Sequence, residues 1–307
     1  MCGIVGVISS ESCVKDVIEG LRSLEYRGYD SAGIAILNGN KIVEKKSVGR
    51  IAELEKKINK DYFRGKIVIG HTRWATHGKP SLKNCHPFVK DNCALVHNGI
   101  IENFNEIKKI LKLKNKKIKS DTDTEVIAEG LNKLLQDDKD IIKNIINISK
   151  KIKGTFAFAI LVNKENAIFG IRKGSPLVLG IGDNANSISS DVLGLPKNTK
   201  KIIFLEENDT YKISKDNFII FNDKGKKVSR KMHPYVSRSD FENKGKYSYF
   251  MQKEIFHQPV SIEDTILNFA DKKTNSIFLP KNEIDFNKIS HIFLVACGTA
   301  YHSCMVA

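Results

Sequence analysis

The second residue of the chain, Cys2, carries a thiol directly after the initiator methionine. Its small side chain permits methionine aminopeptidase to remove Met1, which would leave a thiol and an α-amine on one residue. An α-amine has an ordinary pKa of about 7.7–8.0, close to that of a thiol, so it can accept the thiol proton and later pass a proton to a leaving amine. Cys2 is therefore a candidate nucleophile with its own base. A cysteine buried by chance in an N-terminal strand is the competing interpretation.

Arg73 is the charged residue of a second motif, HTRWATHG at residues 71–78. This motif opens a stretch without periodicity, residues 74–88, which holds the only tryptophan, Trp74. Long loops of this kind in compact domains are usually functional. The planar guanidinium of Arg73 suits a substrate carboxylate, although a surface ion pair would use it equally well.

Asn98 and Gly99 form a third signal. A side-chain amide and a glycine N–H at the end of a strand could face the oxyanion that develops when a carbonyl is attacked. Asn-Gly is also the commonest signal of a tight hairpin turn. Taken by itself, the pair therefore favours a turn.

Asp123 belongs to the fourth signal, the cluster SDTDTE at residues 120–125 ahead of a helical pattern. Helix capping alone would explain such a cluster; a carboxylate that receives a substrate ammonium is the alternative.

Together the four signals supply a thiol and its base, an oxyanion hole, and a partner for each charged group of an amino acid. This set predicts amide hydrolysis on a glutamine-like substrate.

Apolar spacing predicts the elements that must position these residues. Strands are expected at 2–8, 32–37, 41–45, 67–70, 94–97, 156–162, 167–171, 177–181, 201–205, 210–213, 218–221 and 289–296, and helices at 12–26, 51–58, 104–113, 124–135, 141–152 and 251–269. Strands, then helices, then more strands predict an α+β fold in which helices cover sheet layers.

Composition and charge exclude several classes of protein. The 307 residues are 41% hydrophobic and 28% charged, which excludes global disorder. The net charge of +15 comes mostly from dispersed lysines, without the concentrated basic face that nucleic acid requires. The six cysteines form no C-x-x-C pair for a metal and indicate a reducing compartment. No apolar run reaches the ~18 residues that span a bilayer. We expect a cytoplasmic protein that binds no nucleic acid, membrane or metal.

At these motifs the chain resembles a known family. The start MCGIVG is similar to that of the N-terminal-nucleophile, or class II, glutamine amidotransferases. Four longer motifs resemble the glutamine:fructose-6-phosphate aminotransferases, also called glucosamine-6-phosphate synthases: YRGYDSAG from Tyr26, HTRWATHG from His71, HNGIIEN from His97 and TDTEV from Thr122. GSPL from Gly174 and MQKEI from Met251 extend the resemblance over essentially the whole chain.

The resemblance implies a four-layer αββα N-terminal-nucleophile hydrolase fold, and a γ-glutamyl thioester formed on Cys2 after Met1 is removed. It implies no metal or organic cofactor. By motif, the resemblance implies an oxyanion hole at Asn98 and Gly99. It implies that Arg73 binds the glutamine α-carboxylate and that Asp123 binds its α-ammonium. Thr76 and His77 would lie in a loop that closes over glutamine, and Trp74 would lie at the mouth of an ammonia path.

The expected domains are a glutaminase domain at 2–228, a linker at 229–250 and, at 251–307, the incomplete start of a first α/β sugar-isomerase (SIS) domain. Gly298 and Thr299 would form a weak, incomplete sugar-phosphate site at a helix start. Ala300 stands where the family often has serine, so a completed domain would hold phosphate through other donors, or Ala300 is ordinary family variation.

The resemblance implies the glutamine-hydrolysing half of an enzyme that converts glutamine and fructose 6-phosphate to glutamate and glucosamine 6-phosphate. We expect this chain alone to hydrolyse glutamine only; fructose 6-phosphate and a homodimer are expected for the full-length protein. One alternative is a catalytically silent module that binds glutamine. Amidophosphoribosyltransferase and asparagine synthetase share the Cys2 start, but YRGYDSAG and the Cys297-Gly298-Thr299 turn argue against both.

Overall fold

The computed structural model describes residues 2–58, 64–75, 78–113, 118–235, 245–271, 276–277, 285, 288–296 and 299–306. The chain divides into two compact units, residues 1–242 and 243–307. The strands of the first unit are β1 Gly3–Ser9, β2 Ser31–Asn38, β3 Lys41–Val48, β4 Ile67–Arg73, β5 Phe88–Val89, β6 Cys93–Ile101, β7 Gly154–Val162, β8 Ile168–Lys173, β9 Val178–Gly182, β10 Ala185–Ser189, β11 Thr199–Phe204, β12 Thr210–Ile213, β13 Phe218–Phe221, β14 Lys227–Val228 and β15 Met232–Pro234. Its α-helices are α1 Val14–Ser23, α2 Ile51–Lys57, α3 Phe104–Ile110, α4 Asp123–Asp137 and α5 Ile141–Ser149.

Two antiparallel sheets form the centre of this unit. The first has the strand order β15-β11-β9-β10-β1-β4-β2-β3, and the second has the order β14-β13-β12-β8-β7-β6-β5. In the first sheet β1 lies between β10 and β4, and it pairs Gly3 with Thr72. This register brings the residue before β1 next to the C-terminal end of β4.

The apolar side chains fall into layers, because successive residues of a strand face opposite sides of a sheet. In β1, Ile4 and Ile8 belong to the core between the two sheets, whereas Val5 and Val7 pack with helix α1. Strands buried on both faces carry continuous apolar runs instead of an alternating pattern. The run in β1 is such a case.

Each sheet is covered by helices on its outer face. Helices α1 and α2 contribute Leu21 and Leu54 to the core outside the first sheet. Helices α4 and α5 contribute Ile127 and Ile145 to the core outside the second sheet. The order of layers is helix, sheet, sheet, helix, so the predicted α+β, four-layer fold is confirmed.

The second unit contains a helix at Phe250–Phe269, a short hairpin of Ala270–Asp271 with Ser276–Ile277, and a helix at Thr299–Val306. The strand predicted at 289–296 is wrong, because these residues have no regular structure. A strand requires a hydrogen-bonded neighbour, and no described residue of this unit pairs with the segment. The stretch assigned to the linker includes β15, which pairs with β11; the domain boundaries stay a prediction.

Candidate active site

Cys2 lies immediately before β1, where the sheet register sets it beside the end of β4. The backbone N–H of Trp74 donates to the Cys2 sulfur at 3.3 Å. The side chain is neither fully buried nor fully exposed, so the sulfur faces a pocket that solvent can reach. The strand edge therefore fixes the position of the thiol without covering it.

The pKa of the Cys2 thiol lies above its ordinary value. Burial is the largest cause, and the Trp74 N–H and the charge of Arg73 oppose it. A thiol with a raised pKa is protonated at neutral pH and is a weak nucleophile. Attack from Cys2 therefore requires a base next to the sulfur.

Asn98 and Gly99 lie within β6 and do not form the tight turn that the dipeptide favours. Strand β6 continues to Ile101 because β7 pairs with it along its whole length, Gly99 opposite Phe156. Gly99 has a φ of +131°, and a Cβ there would lie 2.0 Å from the Thr155 oxygen. Only glycine fits this position.

The Asn98 side chain faces Cys2. Its Nδ2 donates to the main-chain oxygen of Cys2 at 2.9 Å, and its Oδ1 lies 3.1 Å from Nε2 of His71. One Asn98 amide hydrogen is engaged with Cys2. An amide carries a second hydrogen, which is available to a bound carbonyl oxygen.

Arg73 is the last residue of β4, and its side chain is buried at 4% exposure. Its Nη2 donates to the Gly78 carbonyl at 3.1 Å. The same segment is held by Asp30, which donates its N–H to the Arg73 oxygen at 3.1 Å and accepts from the Ala75 N–H. The guanidinium thus belongs to the interior of the site and not to a surface ion pair.

Asp123 is the first residue of α4, where a helix N-terminus favours a carboxylate. Its Oδ2 accepts from the backbone N–H of Ile101 at 2.8 Å. Thr122, at the N-cap position, makes no capping hydrogen bond with its side chain. The cluster therefore ties α4 to the end of β6, which ordinary capping would not do.

The four sequence signals converge on one small pocket. Its lining consists of Cys2, Arg73, Trp74, His86, His97, Gly99, Thr122, Asp123 and Thr124. Trp74 is half-exposed and packs edge-on against Tyr29, with ring centroids 5.7 Å apart. The predicted residues Thr76, His77 and Gly298 lie outside the described residues; Thr299 begins the last helix of the second unit.

The sequence reasoning missed a cluster of buried histidines, of which His86 and His97 line the pocket and His71 packs against His86. The rings of His71 and His86 are 4.2 Å apart. Thr124 Oγ1 lies 3.1 Å from His86 Nε2 and 2.8 Å from His97 Nδ1. Burial lowers the pKa of His71 to about 3 and the pKa of His86 well below its usual range. The signal was the recurrence of histidine at the ends of two predicted strands, 71 and 97.

Among the described residues, no three His, Cys, Asp or Glu side chains are arranged to hold a metal ion. None of the helices in the described part of the chain is long and apolar enough to cross a membrane.

Comparison with known proteins finds similar sequences among glutamine amidotransferases. Residues 71–193 match the family profile described as a glutamine amidotransferase domain. The whole chain is 46% identical to a glutamine–fructose-6-phosphate aminotransferase of Francisella tularensis and 40% identical to that of Zymomonas mobilis. In both comparisons the alignment covers 100% of this chain and 51% of the relative. The chain thus spans about half the length of the curated relatives it matches.

Two solved structures share the fold. The glutamine phosphoribosylpyrophosphate amidotransferase of Bacillus subtilis, complexed with ADP and GMP, superposes with a TM-score of 0.55 at 26% identity, covering 77% of this chain and 50% of that one. An allosteric regulatory enzyme of purine biosynthesis gives a TM-score of 0.55 at 27% identity, covering 78% and 50%. The sequence is considerably more similar to the first group of relatives than to these.

Proposed function

Because the chain is related over its whole length to the glutamine–fructose-6-phosphate aminotransferases and contains a glutamine amidotransferase domain, we propose that it hydrolyses glutamine to glutamate and ammonia at Cys2. The observation that carries this proposal is the convergence of Cys2, Arg73, Gly99 and Asp123 on one pocket, with Asn98 bonded to Cys2 behind it. These residues come from four separate motifs.

In the proposed reaction the Cys2 sulfur attacks the side-chain carboxamide carbon of glutamine. The sulfur–carbon bond forms as the thiol proton passes to the α-amine of Cys2. That proton then moves to the leaving nitrogen, so ammonia departs and a γ-glutamyl thioester remains. Water attacks the thioester, giving glutamate and the free thiol. The raised pKa of the thiol is consistent with the need for this base, which exists only once Met1 has been removed.

Asn98 and Gly99 supply the oxyanion hole in this proposal. Asn98 Nδ2 is already directed to the Cys2 main chain, and Gly99 holds its backbone in a conformation closed to other residues. Donors fixed in advance stabilise charge that appears only in the transition state. Their removal should therefore act mainly on kcat.

Arg73 and Asp123 bind the charged groups of the substrate. A guanidinium suits the α-carboxylate, and the carboxylate of Asp123 suits the α-ammonium. Both side chains are almost fully buried, at 4% and 6% exposure, which strengthens their attraction for a bound ion relative to water. Thr76, His77 and Trp74 complete the substrate loop in this proposal.

Transfer of the ammonia to fructose 6-phosphate is part of the proposal through the relatives' name. We also propose glucosamine 6-phosphate formation, a homodimer and a cytoplasmic location for the whole protein. The sugar-phosphate contacts proposed for Gly298 and Thr299 also depend on the relatives' name. The similarity to a glutamine phosphoribosylpyrophosphate amidotransferase supports the glutamine chemistry proposed here. The acceptor in that protein's name is phosphoribosylpyrophosphate, whereas the acceptor proposed here is fructose 6-phosphate.

The test is treatment with 6-diazo-5-oxo-L-norleucine, a glutamine-like electrophile, followed by peptide mapping and a glutamate assay. We expect alkylation at Cys2, protection by glutamine, and glutamate release that alkylation stops. Cys85→Ala is the matched control, because Cys85 is a fully buried thiol outside the pocket lining. Glutamine binding without glutamate release would instead indicate a silent binding module.

A further inference from the structure

His71 lies fully buried at the end of β4 with one ring nitrogen facing two oxygen atoms. Its Nε2 is 2.9 Å from the main-chain oxygen of His97 and 3.1 Å from Oδ1 of Asn98. The main-chain oxygen of His97 can only accept a hydrogen bond, so Nε2 must carry the proton. The tautomer of His71 is thereby fixed by its surroundings.

The orientation of the Asn98 amide follows from this donor. With Oδ1 accepting from His71, Nδ2 faces the Cys2 oxygen, to which it donates at 2.9 Å. Rotating the amide by half a turn would set two donors against each other at His71 and two acceptors at Cys2. Each such loss leaves a buried polar group unsatisfied, which costs about 1–3 kcal/mol.

Burial keeps the His71 ring neutral by lowering its pKa to about 3, and the charges of the neighbouring His97 and Arg73 act in the same direction. The His86 ring packs against it, with centroids 4.2 Å apart. The other ring nitrogen, Nδ1, is buried and has no hydrogen-bond partner among the described residues. In a neutral ring protonated at Nε2, Nδ1 carries no hydrogen and therefore needs no acceptor.

We propose that His71 is a positioning residue, which holds the Asn98 amide with Nδ2 toward the nucleophile and so prepares the oxyanion hole. The inference rests on the proposed glutamine hydrolysis. It adds a residue that touches no substrate but determines which end of Asn98 the substrate meets.

A histidine that only fills the core would behave differently. Loss of packing lowers stability and spreads its effect over substrate binding and turnover. Loss of orientation removes a transition-state interaction, which lowers kcat and leaves KM unchanged. It also makes the effect of His71 depend on the presence of Asn98.

The kinetic test compares His71→Leu, His71→Gln and Asn98→Ala, with the double variant, in glutamine hydrolysis by the processed chain. His71→Leu should lower kcat by about 10-fold or more, up to the roughly 10²–10³ expected for complete loss of an oxyanion donor, with KM changed less than about twofold. His71→Gln places an amide N–H near the Nε2 position and should restore most of the activity. In the Asn98→Ala background, His71→Leu should have little further effect.

Asn144→Leu is the matched control for losing a buried polar side chain. Asn144 has 2% exposure and donates to the main-chain oxygen of Asp138 at 2.6 Å, on helix α5. It should lower stability but leave kcat unchanged. Additive effects of His71→Leu and Asn98→Ala, or failure of His71→Gln to restore kcat, would overturn the proposal.

A second measurement detects the orientation of the Asn98 side-chain amide independently of enzyme activity. In protein labelled with [15N]asparagine, the Asn98 amide signal is identified by its absence in Asn98→Ala, and its hydrogen exchange is followed. Protection should be lost in His71→Leu and kept in His71→Gln and Asn144→Leu. If His71→Leu does not fold, His71→Asn replaces it, since its shorter amide cannot reach the Nε2 position. Unchanged protection would overturn the proposal, whereas absence of glutamate release in the wild type would overturn only the proposed function.

Discussion

Asn98 donates through its side-chain Nδ2 to the main-chain oxygen of Cys2 at 2.9 Å, although 96 residues separate the two in sequence. Cys2 precedes β1 in the first sheet, and Asn98 belongs to β6 in the second. The bond therefore joins the two inner layers at the point where the thiol is exposed. A shift of one sheet against the other would separate Cys2 from the proposed oxyanion donor, Asn98.

Removing the Asn98 amide should impair turnover more than binding. Asn98→Ala should lower kcat for glutamine hydrolysis by roughly 10²–10³, the usual effect of one lost oxyanion donor. Steady-state kinetics measure this, with unfolding by urea as the check on stability. A kcat within a few-fold of the wild-type value would assign Asn98 to the structure of the strand alone.

Retention of Met1 should prevent catalysis, because an amide-bonded Cys2 has no α-amine. Intact mass distinguishes the two forms, and each is assayed for glutamate release. Cys2→Ala should abolish hydrolysis and leave the fold unchanged, since it removes a single partly exposed thiol. Equal rates for the Met1-containing and processed forms would contradict the single-residue nucleophile and base.

Arg73→Ala should raise KM for glutamine by more than about an order of magnitude, since a charged hydrogen bond contributes about 1.5–3 kcal/mol. Arg73→Lys should restore binding poorly, because lysine lacks the planar fork. Arg22→Ala is the control: Arg22 pairs with Glu55 at the surface and should leave KM unchanged. An unaltered KM in Arg73→Ala would remove Arg73 from the substrate site.

The buried histidines predict loss of stability in mild acid. Burial lowers the pKa of His71 to about 3 and that of His86 well below its ordinary value, while in the unfolded chain both titrate near ~6.5. Below about pH 6.5 the unfolded state binds more protons than the folded state, so the free energy of unfolding falls as pH decreases.

The expected slope is about 1.4 kcal/mol per pH unit for each histidine, and for His71 it continues toward pH 3. Urea unfolding between about pH 7 and about pH 5 measures it. His71→Gln has no titrating ring at this position, so the dependence of its unfolding free energy on pH should be shallower by about 1.4 kcal/mol per pH unit. The same slope in both proteins would show that His71 is not held neutral by the fold.

The sequence determined much of the fold because the two inner layers bury both faces of their strands. Continuous apolar runs such as Gly3–Ile8 can only be buried strands or buried helix segments, and their length favours strands. Strand β10, Ala185–Ser189, was missed because three of its five residues are polar, one asparagine and two serines. It is buried through hydrogen bonds that depend on distant partners: Asn186 Nδ2 donates to the Ser214 oxygen at 2.8 Å.

The sequence also supplied the chemical groups of the site, because thiol, guanidinium, amide and carboxylate are properties of residue type. Only the tertiary structure determined where these groups lie and which partners they bond. Asn-Gly became part of a strand because β7 pairs with it throughout, and Asp123 bonded to Ile101 because α4 packs across the end of β6. The orientation of the Asn98 amide depends on His71 from a different sheet. Local spacing cannot encode such contacts, because they exist only once the two sheets have packed together.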